Sequence, residues 1–144
     1  MPKVTFKAQA HSENPTKTVV RTNGFTVIVD EPKNQGGTNE GPTPVDYVLA
    51  ALAGCLNVVS HVVAKELDMN LNGVKIDLEG DLNPAKFMGM SDAERAGYQS
   101  IRVTMRPDTD ADAATNEKWR LAVESRCPVS DNLSHETPVS VQLG

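Results

Sequence analysis

The chain has 144 residues, with 14 Lys and Arg against 19 Asp and Glu, and a formal net charge of −5 at pH 7. This acidic balance argues against nucleic acid or an anionic membrane as a partner, because both bind Lys/Arg-rich surfaces. Two cysteines are too few for a disulfide-stapled secreted scaffold or a Cys₄ zinc site. Residues 1–7 also lack the apolar core of a signal peptide. We therefore predict one cytoplasmic domain over residues 1–144. The role of its two thiols is open at this point.

The N-terminal part is predicted to form strands. Apolar and polar residues alternate from Val4 to Ala10, which is the period of a half-buried strand. Two further β-prone runs, residues 17–22 and 25–30, flank Asn23-Gly24. Asn-Gly between such runs predicts a hairpin, because both residues of a type I′ turn need positive φ.

A polar, glycine-rich loop at residues 30–41 is followed by the start of a long helix. Thr43 is a suitable N-cap, Pro44 suits the first helical position, and Asp46 stands at the acidic position of a capping box. The helix is predicted to run to Leu67 or Met69. It is apolar or small on nearly all sides, so we expect it to be buried on most of them.

Residues 47–64 form the most apolar stretch of the chain and raise the question of a membrane span. The stretch is of borderline length for a span, and it contains Asn57, Ser60 and His61. These features favour a central buried helix and no membrane partner.

The second half of the chain alternates strands and helices. Predicted elements are strands at 74–79, 99–106 and 138–143, a short helix at 91–96 and a second helix at 113–126. We expect Pro107 to end the middle strand and Cys127-Pro128 to end the second helix. The order βββ-α-β-β-α-β predicts an α+β fold with helices packed on largely antiparallel strands.

Several chemistries find no support in the motifs. The three histidines, His11, His61 and His135, lie far apart and form no pair at metal-ligand spacing, so we expect no metal or cofactor. The chain also lacks the Gly-x-Ser-x-Gly elbow of a serine hydrolase and the Gly-x-x-x-x-Gly-Lys-[Ser/Thr] loop that cradles phosphate.

The two cysteines differ in their predicted surroundings. Cys55 lies inside the long helix, where a buried structural role is the simpler interpretation. It is too far from the helix start for the N-terminal dipole to activate it, so a reactive thiol there needs a cation from another segment. Cys127 lies at a helix end before Pro128 and is equally compatible with a structural or a reactive role.

Four segments together resemble a known family. They are DEPKNQGGTNEGPTP at residues 30–44, LAALAGC at 49–55, CPVSDNL at 127–133 and TPV at 137–139. In this order they closely resemble the osmotically-induced-protein-C (OsmC) and organic hydroperoxide resistance (Ohr) family. The resemblance covers most of the chain and implies antiparallel sheets wrapped around a long central helix, in an intertwined homodimer.

The resemblance also implies a thiol-dependent peroxidase that reduces organic hydroperoxides in oxidative-stress defence. Cys55 matches the peroxidatic cysteine and Cys127 the resolving one. The thiolate would become a sulfenic acid, then a disulfide, and an external dithiol, from a lipoyl protein or a small thiol, would reduce it.

Two charged positions complete the implied site. In the family an Arg from an N-terminal strand or loop holds the thiolate, and Arg21 is the sole Arg before Cys55. In the hydroperoxide-resistance branch an acid follows the helix-starting Pro and pairs with that Arg. Here Val45 occupies that position and Asp46 follows, so Asp46 is the candidate partner, although it also suits the helix cap. The shift indicates the broader OsmC-like branch.

A second function stays open beside the enzyme. Val45 in place of the acid favours a non-catalytic OsmC-like dimer that senses redox state or holds a small lipid-like ligand in an apolar groove. Three apolar residues of the 83–98 segment, Phe87, Met88 and Met90, would either line a substrate entrance or close the core.

Overall fold

The fold is α+β, in a computed structural model that describes residues 1–144. The elements in chain order are β1 Ala8–Ser12, β2 Thr18–Thr22, β3 Phe25–Val29, a 3₁₀ turn Lys33–Gln35, α1 Pro44–Glu66, β4 Leu71–Leu82, β5 Tyr98–Thr109, α2 Ala113–Arg126 and α3 Pro128–Ser134. Antiparallel sheets and helices confirm the predicted class. The chain divides into two compact units, Met1–Val48 and Leu49–Gly144. The single domain over residues 1–144 stays a prediction.

The first unit contains a three-stranded antiparallel sheet in the order β1-β2-β3. The β2–β3 hairpin turns at Asn23 and Gly24, whose φ angles are 49° and 81°. The predicted Asn-Gly hairpin is therefore confirmed, with the positive φ at both residues that a type I′ turn requires.

The first strand starts later than predicted. β1 begins at Ala8, which pairs with Thr22, the last residue of β2. Beyond Thr22 the chain turns, so residues before Ala8 have no strand to pair with. Val4 and Phe6, which the alternation placed in this strand, are exposed instead.

The loop after β3 folds back tightly on the backbone of that strand's end. A Cβ on Gly37 would lie 1.8 Å from the Glu31 carbonyl oxygen, and one on Gly41 would lie 2.3 Å from that of Ile28. Both positions therefore require glycine. Because the loop lies this close to the end of β3, the two segments can form the hydrogen bonds that hold the loop.

Helix α1 starts at Pro44, as predicted, and ends at Glu66, close to the predicted end. By length and composition this one helix is long and apolar enough to cross a membrane, with a mean hydropathy of 1.8 over its most apolar window. The core helix of a soluble protein passes the same test, so the feature is weak evidence for a span.

The expectation that α1 is buried on most sides is wrong for the single chain. Its buried residues are Leu52, Leu56, Ser60, Val63 and Ala64. On other faces Val58 is 62% exposed and Val62 44% exposed. The reason is that no other part of the single chain covers the apolar face that carries Val58 and Val62. The small side chains of α1 would be buried only if another backbone lay close to them.

The second unit holds a long hairpin and the main core. β4 and β5 pair antiparallel from Leu71↔Thr109 to Leu82↔Tyr98. The strand predicted at 74–79 is confirmed and extends over the whole of β4, where half-buried apolar residues alternate with exposed charged ones. The core cluster consists of Leu52, Leu56, Val63, Ala64, Met69, Trp119, Val123 and Cys127.

Pro107 does not end β5, contrary to prediction. The strand continues to Thr109, and Pro107 pairs in register with Val74. The sheet has just two strands, so β5 is an edge, and an edge strand accommodates the missing N–H of proline when it faces away from the partner.

The predicted short helix at 91–96 is absent, and this stretch contains bends instead. Ser91 does accept a hydrogen bond from the Ala93 N–H, as a cap would. Gly97 follows within six residues, however, and so short a segment does not repay the cost of helix nucleation.

The C-terminal elements mix one confirmation with two differences. α2 spans Ala113–Arg126, as predicted, and Trp119 and Val123 are buried. The chain then forms an unpredicted helix, α3, which starts at Pro128. The predicted strand at 138–143 is absent, and Val139 is exposed there. An alternating segment becomes a strand only where another strand accepts its hydrogen bonds, and none in this chain does.

Candidate active site

The two cysteines, 72 residues apart in sequence, meet in the second unit. Their sulfur atoms lie 2.9 Å apart. This is longer than an S–S bond of about 2.05 Å, and both thiols are free. Cys55 is partly accessible, whereas Cys127 is 1% exposed. A reagent from solution can therefore reach Cys55. The Cys127 sulfur is close enough to attack an oxidised Cys55 sulfur with little movement of the backbone.

The surroundings of Cys55 favour its protonated form. Burial raises the pKa of the Cys55 thiol, and the contact with Cys127 raises it further. The Val129 N–H donates to the Cys55 sulfur and lowers the pKa, without offsetting the other two causes. A cation is needed to make this thiol a good nucleophile at neutral pH.

The start of α3 supplies backbone donors to both sulfurs. Cys127 is the N-cap of α3, and its sulfur accepts from the Ser130 N–H at 3.4 Å. The next donor along the chain is the Val129 N–H, which points to Cys55. Pro128 stands at the first helical position, where its missing N–H costs nothing. Backbone donors of this one turn therefore help to hold the two sulfur atoms next to each other.

Helix α2 is held against α1 by one buried anchor. The Trp119 indole Nε1–H donates to the Ser60 carbonyl oxygen at 3.0 Å, and Trp119 and Val123 are buried in the core. Cys127 follows α2 directly, so this packing brings it to the level of Cys55 on α1. The Ser60 hydroxyl, also buried, has no hydrogen-bond partner.

Arg21 lies in the first unit, on the central strand β2. It is exposed, and it stands in register between Gln9 of β1 and Thr26 of β3. It takes part in none of the chain's ion pairs. The Arg21 guanidinium is therefore available to a partner outside the sheet.

Asp46 lies in the first turn of α1, where it forms the predicted capping box. Its carboxylate accepts from the Thr43 N–H at 3.0 Å, and the Thr43 hydroxyl accepts from the Asp46 N–H at 3.2 Å. Asp46 makes no ion pair with Arg21 in this chain. It also lines a cavity of about 570 Å³ beside Pro32 and the 39–43 loop.

No group of three or more His, Cys, Asp or Glu side chains comes together to hold a metal ion. Phe87, Met88 and Met90 lie at the turn between β4 and β5 and are exposed. They do not close the core in this chain.

Sequence reasoning missed the backbone donors of Val129 and Ser130. The signal was present, because a proline after a capping-type residue, with an acid in the first turn, is typical of a helix start. Pro128 and Asp131 have this form, whereas cysteine is not among the preferred N-cap residues. We interpreted the same proline solely as the end of α2.

The sequence profile of a family described as OsmC-like protein matches residues 37–142. No curated protein matches the chain.

Solved structures share the fold at low sequence identity. An OsmC-like protein from Mycoplasma pneumoniae superposes with a TM-score of 0.80 at 18% identity, over 93% of this chain and 89% of that one. An organic hydroperoxide resistance protein OsmC from Legionella pneumophila gives 0.65 at 19% identity, over 92% and 91%. One from Elizabethkingia anophelis gives 0.64 at 16%, over 90% and 88%. With the profile match over most of its length, the chain belongs to the OsmC-like family.

Proposed function

We propose that the protein is a cysteine-based peroxidase that reduces organic hydroperoxides. The observation that carries the proposal is the contact at 2.9 Å between a partly accessible Cys55 and a buried Cys127. Structural relatives named as organic hydroperoxide resistance proteins support the same substrate class. The apolar core on which Cys55 packs favours an organic hydroperoxide over hydrogen peroxide.

The reaction proceeds in three balanced steps. The Cys55 thiolate attacks the outer peroxide oxygen, the O–O bond breaks, and the alcohol leaves after taking up a proton. Cys55 is now a sulfenic acid, and the Cys127 sulfur attacks it, which forms a disulfide and releases water. An external dithiol, from a lipoyl protein or a small thiol, then reduces the disulfide and is itself oxidised.

The raised pKa of Cys55 means that the proposal needs a nearby positive charge. We assign this role to Arg21, on the strength of the family resemblance and of its lack of an ion-pair partner. Asp46 was predicted as the partner of Arg21, and its engagement in the α1 cap favours the capping role. The proposal also includes a homodimer and a cytoplasmic location, where thiols stay reduced.

The test is steady-state consumption of cumene hydroperoxide with a dithiol as reductant. The wild type is expected to consume it, Cys55→Ser to fall to the uncatalysed background, and Cys127→Ser to lose turnover after the first oxidation. Full activity in Cys55→Ser would overturn the proposal.

A second candidate function is a non-catalytic dimer that senses redox state or binds a small apolar ligand. The observation that favours it is the raised pKa of Cys55, because a protonated thiol reacts slowly. A pKa at or above the ordinary value in the assembled protein, with no hydroperoxide consumed, would select this function.

A further inference from the structure

The last residues of α1 and α2 are joined by a two-pronged ion pair. Arg126 Nη1 lies 2.6 Å from Glu66 Oε2, and Arg126 Nη2 lies 3.0 Å from Glu66 Oε1. The Arg126 hydrogen bond holds the pKa of Glu66 below its ordinary range. A guanidinium that meets both oxygens of a carboxylate fixes orientation as well as distance.

Nothing within α1 itself explains a carboxylate at this position. An anion in the last turn of a helix faces the negative end of the helix dipole, which is unfavourable. Both side chains are about half exposed, 45% for Arg126 and 54% for Glu66, and exposed ion pairs contribute little to stability. The pairing is therefore better explained by how it positions the two helix ends than by a contribution to stability.

The ion pair links the end of the helix that carries Cys55 to the residue that precedes Cys127. Cys55 is carried by α1, and Cys127 directly follows Arg126 at the end of α2. The buried anchors Val123 and Trp119 lie about one and two turns before Arg126, and Cys127 is buried just after it. The contact between Arg126 and Glu66 adds a direct link between the ends of α1 and α2 at this point.

We propose that the Glu66–Arg126 pair is a positioning device that holds the Cys127 sulfur at the Cys55 sulfur for disulfide formation. This role adds a positioning pair to the proposed function, and its biological meaning rests on that function. The positioning of the two thiols can be tested without it. In the proposed reaction this bond forms when the Cys127 sulfur attacks the Cys55 sulfenic acid and water leaves. In the redox-buffer test below, the same bond forms while oxidised dithiothreitol takes up the two electrons and two protons.

The test is the equilibrium between the Cys55–Cys127 disulfide and a dithiothreitol redox buffer. Arg126→Lys keeps the positive charge but cannot contact both carboxylate oxygens of Glu66. Glu66→Gln keeps the shape of the side chain but loses the negative charge. We call these two the fork variants. The matched control is Arg120→Lys, since Arg120 forms a comparable ion pair with Glu117 and Glu124 inside α2.

Both fork variants are expected to lower the equilibrium constant for disulfide formation by about three- to tenfold, because the second thiol is less well placed. A tenfold change corresponds to about 30 mV. The control should leave it unchanged, and the double variant Glu66→Arg with Arg126→Glu should restore part of the loss.

Constants equal to wild type in both fork variants, or an equal loss in Arg120→Lys, would overturn the proposal. Circular dichroism of each variant shows that the fold is kept. The experiment contains no hydroperoxide, so its result stands whether or not the protein is a peroxidase. Failure of the proposed function would appear separately, as absent hydroperoxide consumption by the wild type.

Discussion

Asp30 is the most heavily hydrogen-bonded carboxylate of the chain. It is fully buried at the end of β3 and accepts from the hydroxyls of Thr16 and Thr38 and from the backbone N–H groups of Glu31 and Glu40. Burial alone would raise the pKa of Asp30, but these donors outweigh it and hold the pKa well below the ordinary range. The loop that precedes α1 is therefore organised around one ionised side chain.

Replacing Asp30 with Asn should destabilise the protein at pH 7 and flatten its acid response. A carboxylate whose pKa is lowered by folding contributes stability that is full above its unfolded pKa, about 3.9, and is lost as the pH falls below it. Thermal melts between about pH 6 and pH 2 measure this, because the loss continues from the unfolded pKa down to the lowered folded one. Asp92→Asn, at an exposed site, is the control. An unchanged Tm and acid slope in Asp30→Asn would contradict the account.

Arg21 is the residue on which the reactivity of Cys55 depends in our proposal. Arg21→Ala should raise the pH of half-maximal alkylation of Cys55 by about one unit or more, because a neighbouring opposite charge shifts a pKa by that amount. The measurement uses a Cys127→Ser background, so that Cys55 alone reacts. Lys7→Ala removes an equal charge from the same unit as a control. Equal profiles for Arg21→Ala and Lys7→Ala would remove Arg21 from the site.

At the scale of elements, the cap of α1 separates the two roles considered for Asp46. Thr43→Ala and Asp46→Ala each break the capping box, and each should lower the free energy of unfolding by about 1 kcal/mol. Chemical denaturation measures this loss. Because the cap accounts for Asp46, we expect the same hydroperoxide consumption from both variants. A much lower rate in Asp46→Ala alone would show that Asp46 acts on catalysis.

Elements with local signals could be predicted from the sequence, and elements that depend on distant partners could not. The Asn23-Gly24 turn and α2 follow from turn chemistry and periodicity within a few residues. The continuation of β5 through Pro107 depends on its being an edge strand, which no local pattern reveals. The start of α3 had a signal that competed with another interpretation of Pro128.

The candidate site shows the same division. The resemblance paired Cys55 with Cys127, and the structure brings their sulfurs together across 72 residues. No spacing rule in the sequence could do so, because the contact arises from α2 packing on α1. The Glu66–Arg126 pair, 60 residues apart, lay beyond sequence reasoning for the same reason.

At the scale of the whole molecule, apolar surface stays uncovered in the single chain. It includes Val58 and Val62 on α1, Phe87 at the β4–β5 turn, and Val139 and Val141 in the C-terminal segment. Where such exposed apolar side chains adjoin one another, they mark sites of association. We propose that the partner is a second copy of the chain, as the family resemblance implies.

The protein should therefore sediment at twice 15.5 kDa. Analytical ultracentrifugation at micromolar concentration measures the mass. The double variant Val139→Asp with Val141→Asp buries two charges if the C-terminal segment lies in the interface, and it should shift the mass toward the monomer. Glu136→Gln, which changes a neighbouring charge, is the control. A wild-type monomer would contradict the dimer.

The most direct test of the central claim is a single turnover followed by mass spectrometry. Reduced protein is mixed with one equivalent of cumene hydroperoxide and no reductant. The account predicts one equivalent of alcohol and a chain lighter by two hydrogen atoms, with Cys55 linked to Cys127 in the peptide map. In Cys127→Ser, Cys55 should instead carry a sulfenic acid. Unreacted hydroperoxide with both thiols still free would contradict the account.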